Sequence, residues 1–466
     1  MLFSSFTFIL VFLPITILLY FIIKNRTYRN IILFISSLIF YAWGEPIYVV
    51  LILFSIFINY ILSIWMDKNE KHSKKILVVA IIINLLLIIV FKYTDFLINN
   101  INSIFKIDIP FANIALPIGI SFYTFQIISY IIEVYRKKVK VQKNIIKLGT
   151  YIALFPQLMA GPIVRYQTIE KELSNRKETF EDFVLGLRRF IFGLGKKVII
   201  ANNMALIADT IYNNSLANTG TALLWIAALA YTFQIYFDFS GYSDMAIGLG
   251  RMFGFKFLEN FNYPYIAKSI TDFWRRWHIS LSSWFKDYLY IPLGGNRCSK
   301  KKWIRNVFIV WFLTGLWHGA SWNFVLWGLY FSIFLILEKT LLTKIIEKTP
   351  KIIRWTGTFL IVIISWVIFR LENFNDMFIV LKNMFIFVPT DFKKTFLDNY
   401  DLVVSSIYFI PAILGMFPYT KKLALKYSEK NIVFVGMGYI ITLVILIISI
   451  ALLLSNTYNP FIYFRF

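Results

Sequence analysis

The chain has 466 residues, of which 58% are hydrophobic, and its formal net charge at pH 7 is +23. Apolar runs of membrane-spanning length recur from end to end, which is typical of a polytopic membrane protein and excludes a soluble globular domain. The basic residues cluster in short loops beside these runs, so they indicate membrane topology and contact with anionic lipid, not nucleic-acid binding. The single cysteine, Cys298, argues against a disulfide framework or a thiolate metal site.

The first part of the chain predicts apolar helices joined by basic loops. Phe8–Ile23 has no basic region before it and no small-residue cleavage site, so we expect that it is not a cleavable signal. A Gly-Glu-Pro break separates Ile31–Trp43 from Pro46–Met66 and predicts a helical hairpin. Ile76–Phe91 predicts the next span, after the basic loop Asp67–Lys75. The positive-inside rule places such basic loops in the cytoplasm.

A broken apolar segment follows at Tyr151–Val164. Pro156 and Gly161–Pro162 interrupt it, and basic regions flank it at Arg136–Lys147 and Lys171–Lys197. A short segment between two cytoplasmic loops predicts a re-entrant piece. Irregular backbone at membrane depth is tolerated only where protein or a cavity shields it from lipid. The pattern therefore favours a helical bundle around a central tunnel.

Two further spans are predicted at Val198–Tyr212 and Ala222–Phe237. Asp238 and Asp244 come directly after the second one. Two carboxylates beside an apolar run need cationic partners, so we expect both to have a structural role. The candidate partners are Arg251, Arg275 and Arg276.

The stretch Thr271–Tyr330 combines imidazole, indole and guanidinium groups. In its first half, apolar and aromatic residues recur at three- and four-residue steps, which predicts one face of a single helix formed by Trp274, His278, Leu281, Phe285 and Tyr288. Ser269 or Thr271 can cap this helix, and Pro292 ends it. An aromatic amphipathic helix flanked by Arg and Lys fits the membrane interface better than a full crossing.

The second half predicts a hairpin that places His318 inside the membrane. Trp303–His318 gives about 24 Å of helix against a hydrocarbon core of about 30 Å, so His318 stops short of the far surface. Gly319–Ser321 ends this run, and Trp322–Leu342 returns. An ionisable side chain at such depth is a functional hypothesis, and the alternative is a histidine that is hydrogen-bonded between helices for packing.

Three more spans are predicted at Trp355–Phe369, Leu402–Phe417 and Ile432–Leu454, with Lys421–Lys430 as a cytoplasmic loop before the last. The whole chain then contains about eleven spans or partial spans. We interpret residues 1–466 as one integral membrane domain.

Several long motifs resemble the signature of the membrane-bound O-acyltransferase family. The resemblance is strongest in FWRRWHISLSSWFKDYLYIPLGGNR (273–297) and TGLWHGASWNFVLWG (314–328). It includes FPQLMAGPIVRY (155–166) and the terminal FIYFRF (461–466), and the motif-bearing core covers roughly 116–370. Within the family, the alginate O-acetyltransferase I-like branch, which acetylates exported polysaccharides, is the most similar.

The resemblance implies an all-α bundle with re-entrant and interfacial helices around a tunnel, in the plasma membrane. It makes His318 the catalytic residue and His278 a second active-site residue. A neutral imidazole can take the proton of an attacking hydroxyl, and burial keeps the imidazole neutral. The donor-binding candidates are Arg276, Lys286, Asn296 and Arg297, for which the alternative is interfacial anchoring. The tunnel-lining candidates are Trp274, Trp277, Trp317 and Ser321.

We therefore expect acetyl-CoA as the cytoplasmic donor, with no tightly bound cofactor and no metal, because three histidines and one cysteine provide no zinc set. The expected partners are membrane lipid, an extracytoplasmic acyltransferase and a polysaccharide acceptor. D-alanyl transfer to teichoic acid from a carrier protein is the alternative within the same chemistry. A transporter of an acyl carrier or polymer, or a scaffold subunit, would use no chemistry, although we find no internally repeated halves of the kind common in transporters.

Overall fold

A computed structural model of the chain describes residues 1–213, 216–419, 432–455 and 459–462. These residues form helices and no β-strand, which confirms the predicted all-α class. The predicted loop Lys421–Lys430 and residues 463–466 of the FIYFRF motif lie outside the described residues.

Seven helical segments among the described residues are long and apolar enough to cross a membrane, and the chain is a multi-pass membrane protein. They are Val49–Lys68, Glu70–Phe105, Phe180–Tyr212, Thr221–Met252, Trp322–Thr340, Lys351–Arg370 and Val433–Ser455. Two shorter apolar segments, Thr7–Ile22 and Tyr400–Gly415, accompany them. The count of about eleven included partial spans. It stays a prediction, as does the single domain.

The chain divides into two compact units. Unit 1 comprises Met1–Phe190 and Ser243–Leu258, and unit 2 comprises Ile191–Tyr242 and Glu259–Phe466. The α-helices that lie wholly in unit 1 are α1 (Leu13–Ile22), α2 (Arg26–Ala42), α3 (Val49–Lys68), α4 (Ser73–Ile88), α5 (Thr94–Phe105), α6 (Ile120–Tyr135), α7 (Ile145–Ala153), α8 (Phe155–Leu158) and α9 (Tyr166–Asn175). Two helices, α10 (Phe180–Gly195) and α12 (Thr221–Met252), contribute residues to both units.

The remaining helices belong to unit 2. They are α11 (Asn202–Tyr212), α13 (Ile270–Arg276), α14 (Ile279–Phe285), α15 (Lys300–His318), α16 (Trp322–Thr340), α17 (Thr343–Lys348), α18 (Lys351–Arg370), α19 (Phe374–Phe385), α20 (Tyr400–Ser406), α21 (Phe409–Gly415) and α22 (Ile432–Ser455). A π-helical turn, Lys286–Tyr290, follows α14 directly.

The broken segment Tyr151–Val164, in unit 1, is shielded by protein, as expected for irregular backbone. Residues 148–164 are all buried, although the helix is interrupted after α7 and ends at α8. Ser37 Oγ accepts a hydrogen bond from the backbone N–H of Phe155 at 3.0 Å, and the Tyr151 hydroxyl donates to the carbonyl of Val164 at 3.0 Å. These two bonds satisfy backbone groups at the break inside protein, as a buried irregular segment needs.

The basic region Lys171–Lys197 is not the predicted loop, because an unbroken helical segment already begins at Phe180. The span predicted from Val198 thus starts much earlier. Two of its cations are neutralised by carboxylates: Arg189 lies 2.8 Å from Asp244 in unit 1, and Lys197 lies 2.6 Å from Asp238 in unit 2. A charge paired in this way can occupy a buried helix.

The same pairs correct the partners predicted for the two aspartates. Arg251 pairs with Asp182 instead, and Arg276 pairs with Asp272 in the preceding turn of its own helix. The carboxylate of Asp238 also accepts the backbone N–H of Ile462 at 2.9 Å. Both aspartates hold ion pairs, in agreement with the expected structural role.

Helices α15 and α16 form the predicted hairpin, with its break at Gly319–Ser321. Their backbones approach closely because glycine faces the partner helix on each side. A Cβ atom at Gly315 would lie 2.3 Å from the carbonyl oxygen of Phe324, and one at Gly328 would lie 2.2 Å from that of Trp311. Only residues without a side chain permit this approach. The hairpin fixes the position of His318, the last residue of α15.

Candidate active site

The aromatic stretch that begins at Ser269 forms two short helices where one was predicted. Ser269 caps α13 as expected, since its side chain accepts from the backbone N–H of Asp272 at 3.0 Å. The helix ends at Arg276, and His278 adopts left-handed backbone angles, with φ 42° and ψ 55°. Periodicity alone cannot reveal this break, because the apolar spacing continues through it. Trp274 and His278 therefore do not share one helical face.

His278 is completely buried in a pocket of aromatic rings. Ring centroids of Phe239, Phe261 and Trp317 lie 4.7, 6.5 and 5.9 Å from its own. Its Nδ1 lies 3.2 Å from Oδ1 of Asn260, and its Nε2 is buried without a hydrogen-bond partner among the described residues. His278 lies outside the seven spans, and burial lowers the pKa of its imidazole to about 3. The ring is neutral at physiological pH.

His318 ends α15 and is 3% exposed. Its ring centroid lies 5.0 Å from Trp317, 4.9 Å from Trp327 and 5.4 Å from Phe369, all with edge-on geometry. The two imidazoles therefore both contact Trp317, although they are forty residues apart in the chain. Both lie within unit 2.

A cavity of about 430 Å³ opens beside these rings in unit 2. Its walls combine aromatic side chains with three cations. They include Trp274, Arg275, Lys286, Tyr290, Asn296, Trp303, Trp311 and Lys339. Neither histidine lines it. Trp274 does, and this ring contacts Trp327 at 5.6 Å, which in turn contacts His318. The rings of Trp274 and Trp327 thus connect the cavity wall to the imidazole of His318.

One face of α15 leads from the cavity to His318. Trp303, Val307, Trp311 and Thr314 line the cavity at three- and four-residue steps, and His318 follows Thr314 by four residues. Residues four apart lie on the same side of a helix. On the facing helix, Glu338 accepts the backbone N–H of Ile270 at 2.7 Å and so holds the start of α13 against α16.

The structure separates the four predicted donor-binding residues into two groups. Lys286 and Asn296 line the cavity, and the Asn296 side chain accepts a hydrogen bond from the Tyr290 hydroxyl. Arg276 does not line it, because it is paired with Asp272 at 2.8 Å and also donates to the carbonyl of Asn262. Arg297 is exposed outside the cavity.

The four predicted tunnel-lining residues also differ in their surroundings. Trp274 lines the cavity, whereas Trp277 is buried against Trp366 at 4.8 Å. Trp317 contacts both imidazoles, and Ser321 is the half-buried N-cap of α16. The tunnel itself stays a prediction.

Several residues of the site were not predicted. Arg275 was considered only as a partner for the aspartates, and Lys339 was not singled out, since a lysine in the last turn of a span is typical of interfacial anchoring. Lys339 lies 5.8 Å from the ring of Trp303, a cation–π distance that joins the ends of α15 and α16 across the cavity. No group of three or more metal-ligating side chains occurs in the part of the chain that the structure describes.

These observations define the chain as a multi-pass membrane protein with two buried imidazoles near a cation-lined cavity. The model of the membrane-bound O-acyltransferase family matches residues 133–378, more than half of the sequence. The chain belongs to the membrane-bound O-acyltransferase family, and it is an acyltransferase.

Three relatives show which acyl transfers the chain is similar to. It is 41% identical to the probable alginate O-acetylase AlgI of Azotobacter vinelandii over 89% of this chain and 85% of that protein. It is 37% identical to the peptidoglycan O-acetyltransferase of Helicobacter pylori over 82% of this chain and 80% of that protein. The teichoic acid D-alanyltransferase of Bacillus subtilis is 32% identical over 53% of this chain and 63% of its own length.

Proposed function

We propose that the chain moves an acetyl group from cytoplasmic acetyl-CoA to an exported or cell-surface polysaccharide, with His318 as the general base. The observation that carries this proposal is the continuous face of α15, which lines the cavity and ends four residues later at His318. The cavity would hold the donor, and the imidazole would meet the acceptor.

The cavity has the chemistry that a nucleotide thioester needs. Arg275, Lys286 and Lys339 supply positive charge for phosphate groups, and Trp303 and Trp311 supply aromatic faces for an adenine ring or an apolar arm. Burial of the acyl end among indoles excludes water, which would otherwise hydrolyse the thioester.

The transfer itself needs one base and no resident cofactor. A neutral His318 takes the proton of the acceptor hydroxyl while the oxygen attacks the thioester carbonyl. The tetrahedral intermediate collapses, the carbon–sulfur bond breaks, and the sulfur leaves with the proton that the imidazole returns. The products are an O-acetyl ester and free CoA. Because His318 does not line the cavity, the acyl end of the donor reaches the imidazole only if side chains at the inner end of the cavity move.

The acetyl group then reaches the polysaccharide directly or through an extracytoplasmic acyltransferase partner. The similarity to an alginate O-acetylase and to a peptidoglycan O-acetyltransferase supports a polymer acceptor. The lower identity and coverage of the teichoic acid D-alanyltransferase favour acetyl over D-alanyl as the group transferred.

A labelled-donor assay tests the proposal. Membranes that contain the protein receive either [14C]acetyl-CoA or a carrier protein charged with D-[14C]alanine, and the label in extracted polymer is counted. We expect incorporation from acetyl-CoA together with release of free CoA. Incorporation only from the D-alanyl carrier would overturn the acetyl assignment, and donor binding without thioester cleavage would indicate a transporter.

A further inference from the structure

The break between α13 and α14 is held by one buried amide. Asn260 precedes both helices and is 1% exposed. Its Oδ1 lies 3.2 Å from Nδ1 of His278, 3.2 Å from the backbone nitrogen of Ser280 and 2.9 Å from the hydroxyl of Ser280. Its backbone carbonyl accepts the N–H of Ile279 at 2.9 Å. Three consecutive residues at the break therefore bond to Asn260.

These contacts determine which way the amide faces. A backbone N–H can only donate, so the atom opposite the Ser280 nitrogen must be the oxygen of Asn260 and not its NH2 group. That oxygen has no hydrogen to give. Nδ1 of a neutral His278 can bond to this oxygen only if Nδ1 carries the proton, which leaves the lone pair on Nε2.

The alternative tautomer makes a worse arrangement. If Nδ1 were the acceptor, it would face the acceptor Oδ1 of Asn260 at 3.2 Å, and its donor would be the Ser280 hydroxyl at 3.5 Å. Two lone pairs at that separation repel, and the remaining hydrogen bond is at the limit of useful length. The contacts of Asn260 favour the Nδ1–H form.

We propose that Asn260 is a positioning residue that holds His278 in the Nδ1–H tautomer, so that Nε2 presents its lone pair to an O–H or N–H group of a substrate. Two energetically unfavourable features of His278 support a functional role for it. Its Nε2 is buried without a hydrogen-bond partner among the described residues, and its backbone is left-handed, a conformation that residues other than glycine rarely adopt. Groups with such costs concentrate at functional sites.

No charged group packs on His278 among the described residues, so the hydrogen bond at Nδ1 decides its tautomer. The rings that pack on it belong to Phe239, Phe261 and Trp317, none of which is ionisable. Burial is the cause of its lowered pKa, with no charged group contributing among the described residues. The imidazole therefore stays neutral, and the choice of nitrogen decides whether it can accept a proton on the Nε2 side.

The direct test is the 15N spectrum of the imidazoles in the full-length protein. The chain has only three histidines, so His72→Gln and His318→Gln leave the His278 signals assigned by elimination. We expect a protonated Nδ1 and a bare Nε2 in the wild-type protein. A protonated Nε2 at His278 would overturn the inference, and no variant of Asn260 is needed for this result.

Substitution then tests whether Asn260 is the cause. Asn260→Asp keeps the oxygen acceptors and should keep the tautomer, whereas Asn260→Leu should convert His278 to Nε2–H or to a mixture. Ser280→Ala is the matched control, since it removes one hydroxyl from the same amide oxygen and leaves the contact with Nδ1 intact. An unchanged tautomer in folded Asn260→Leu would refute the positioning role.

A kinetic readout connects the tautomer to the reaction, and this step rests on the proposed function. We expect Asn260→Leu to lower kcat for acyl transfer about 10- to 100-fold with little change in the donor KM, and Ser280→Ala to stay near the wild-type rate. In Asn260→Asp, the carboxylate beside Nδ1 should move the acid limb of the pH–rate profile to higher pH. If His278 showed the expected Nδ1–H spectrum but the protein transferred no acetyl group, only the proposed function would be refuted. If the protein transferred acetyl groups with His278 protonated at Nε2, only this inference would be refuted.

Discussion

The rings of His278 and His318 both lie against Trp317, at centroid distances of 5.9 and 5.0 Å. Each histidine could be selected from the sequence, because an imidazole is rare in apolar surroundings and both occur within one aromatic stretch. Trp317 was predicted as a tunnel-lining residue, but its contact with both imidazoles could not be predicted, since that contact depends on the turn between α14 and α15. Asn260 was missed for a similar reason: an asparagine in a loop gives no signal until its contacts are seen.

The cations of the cavity give a prediction about donor binding. Lys286→Met and Lys339→Met should each raise the KM for acetyl-CoA about fivefold, which corresponds to about 1 kcal/mol for a partly solvated charge contact with phosphate. The effect should shrink as ionic strength rises. Arg297→Met, an exposed cation outside the cavity, is the control and should leave KM unchanged. Equal effects from all three variants would indicate general surface charge and not a donor site.

The buried pair of Lys197 and Asp238 gives a prediction about stability. The side chains are 3% and 1% exposed, so Lys197→Met leaves an uncompensated buried carboxylate and should destabilise the protein by about 3–5 kcal/mol. Lys197→Met combined with Asp238→Asn removes both charges, keeps an acceptor for the N–H of Ile462, and should recover much of the loss. Thermal unfolding in detergent measures both.

The exposed pair of Lys137 and Glu70 is the matched control for that experiment. Glu70→Gln should leave Tm unchanged, because solvent screens the interaction. A single Lys197→Met variant as stable as the wild-type protein would contradict the role assigned to the buried pair.

At the scale of elements, hydropathy predicted those helices whose ends coincide with Gly, Pro or basic clusters. The hairpin of α15 and α16 and its break at Gly319–Ser321 were predicted, as was the broken segment around Pro156. The start of the helix at Phe180 was not, because its cations appear as a loop until their carboxylate partners are known. The break at His278 was not, because left-handed backbone leaves the apolar spacing unchanged.

Close packing of the hairpin predicts a strong effect of a single methyl group. Gly328→Ala places a Cβ atom 2.2 Å from the carbonyl oxygen of Trp311, so the helices must separate and the protein should lose about 1–3 kcal/mol or more. Because α15 carries His318, acyl transfer should fall as well. Tm and transfer rate are measured together.

Gly357→Ala in α18 provides the control, since a Cβ atom there meets nothing within 4 Å. Alanine also favours a helix over glycine, so this variant should unfold at or above the wild-type Tm. If the two variants behaved alike, the close approach of α15 and α16 would not explain the glycines.

At the scale of the whole molecule, composition and basic loops predicted a multi-pass helical membrane protein, and the structure and the family match confirm this. The division into two units was not predicted, because it depends on contacts between distant helices and hydropathy describes each helix alone. Hydropathy also does not determine the number of spans where helices are short or broken, as between Tyr400 and Gly415.

The natural single cysteine tests the predicted topology. Cys298 lies in the basic loop before α15, which the positive-inside rule places in the cytoplasm. A membrane-impermeant maleimide should label it in inside-out vesicles and not in intact cells. Cys298 is half-buried, so Cys298→Ser combined with Ser299→Cys offers a more exposed thiol in the same loop. Labelling of this thiol from outside intact cells would contradict the assigned orientation, because the donor cavity would then face away from the cytoplasm.

The most direct test of the whole account is a single-turnover assay in proteoliposomes with [14C]acetyl-CoA and an acceptor polysaccharide, in which free CoA and O-acetyl ester are counted together. His318→Gln should lower the rate by about 10²- to 10⁴-fold while donor binding is retained, because a general base contributes that range. The exposed His72, changed to Gln in the same way, should leave the rate unchanged. Transfer by folded His318→Gln at the wild-type rate would contradict the central claim that the imidazole at position 318 performs the proton transfer.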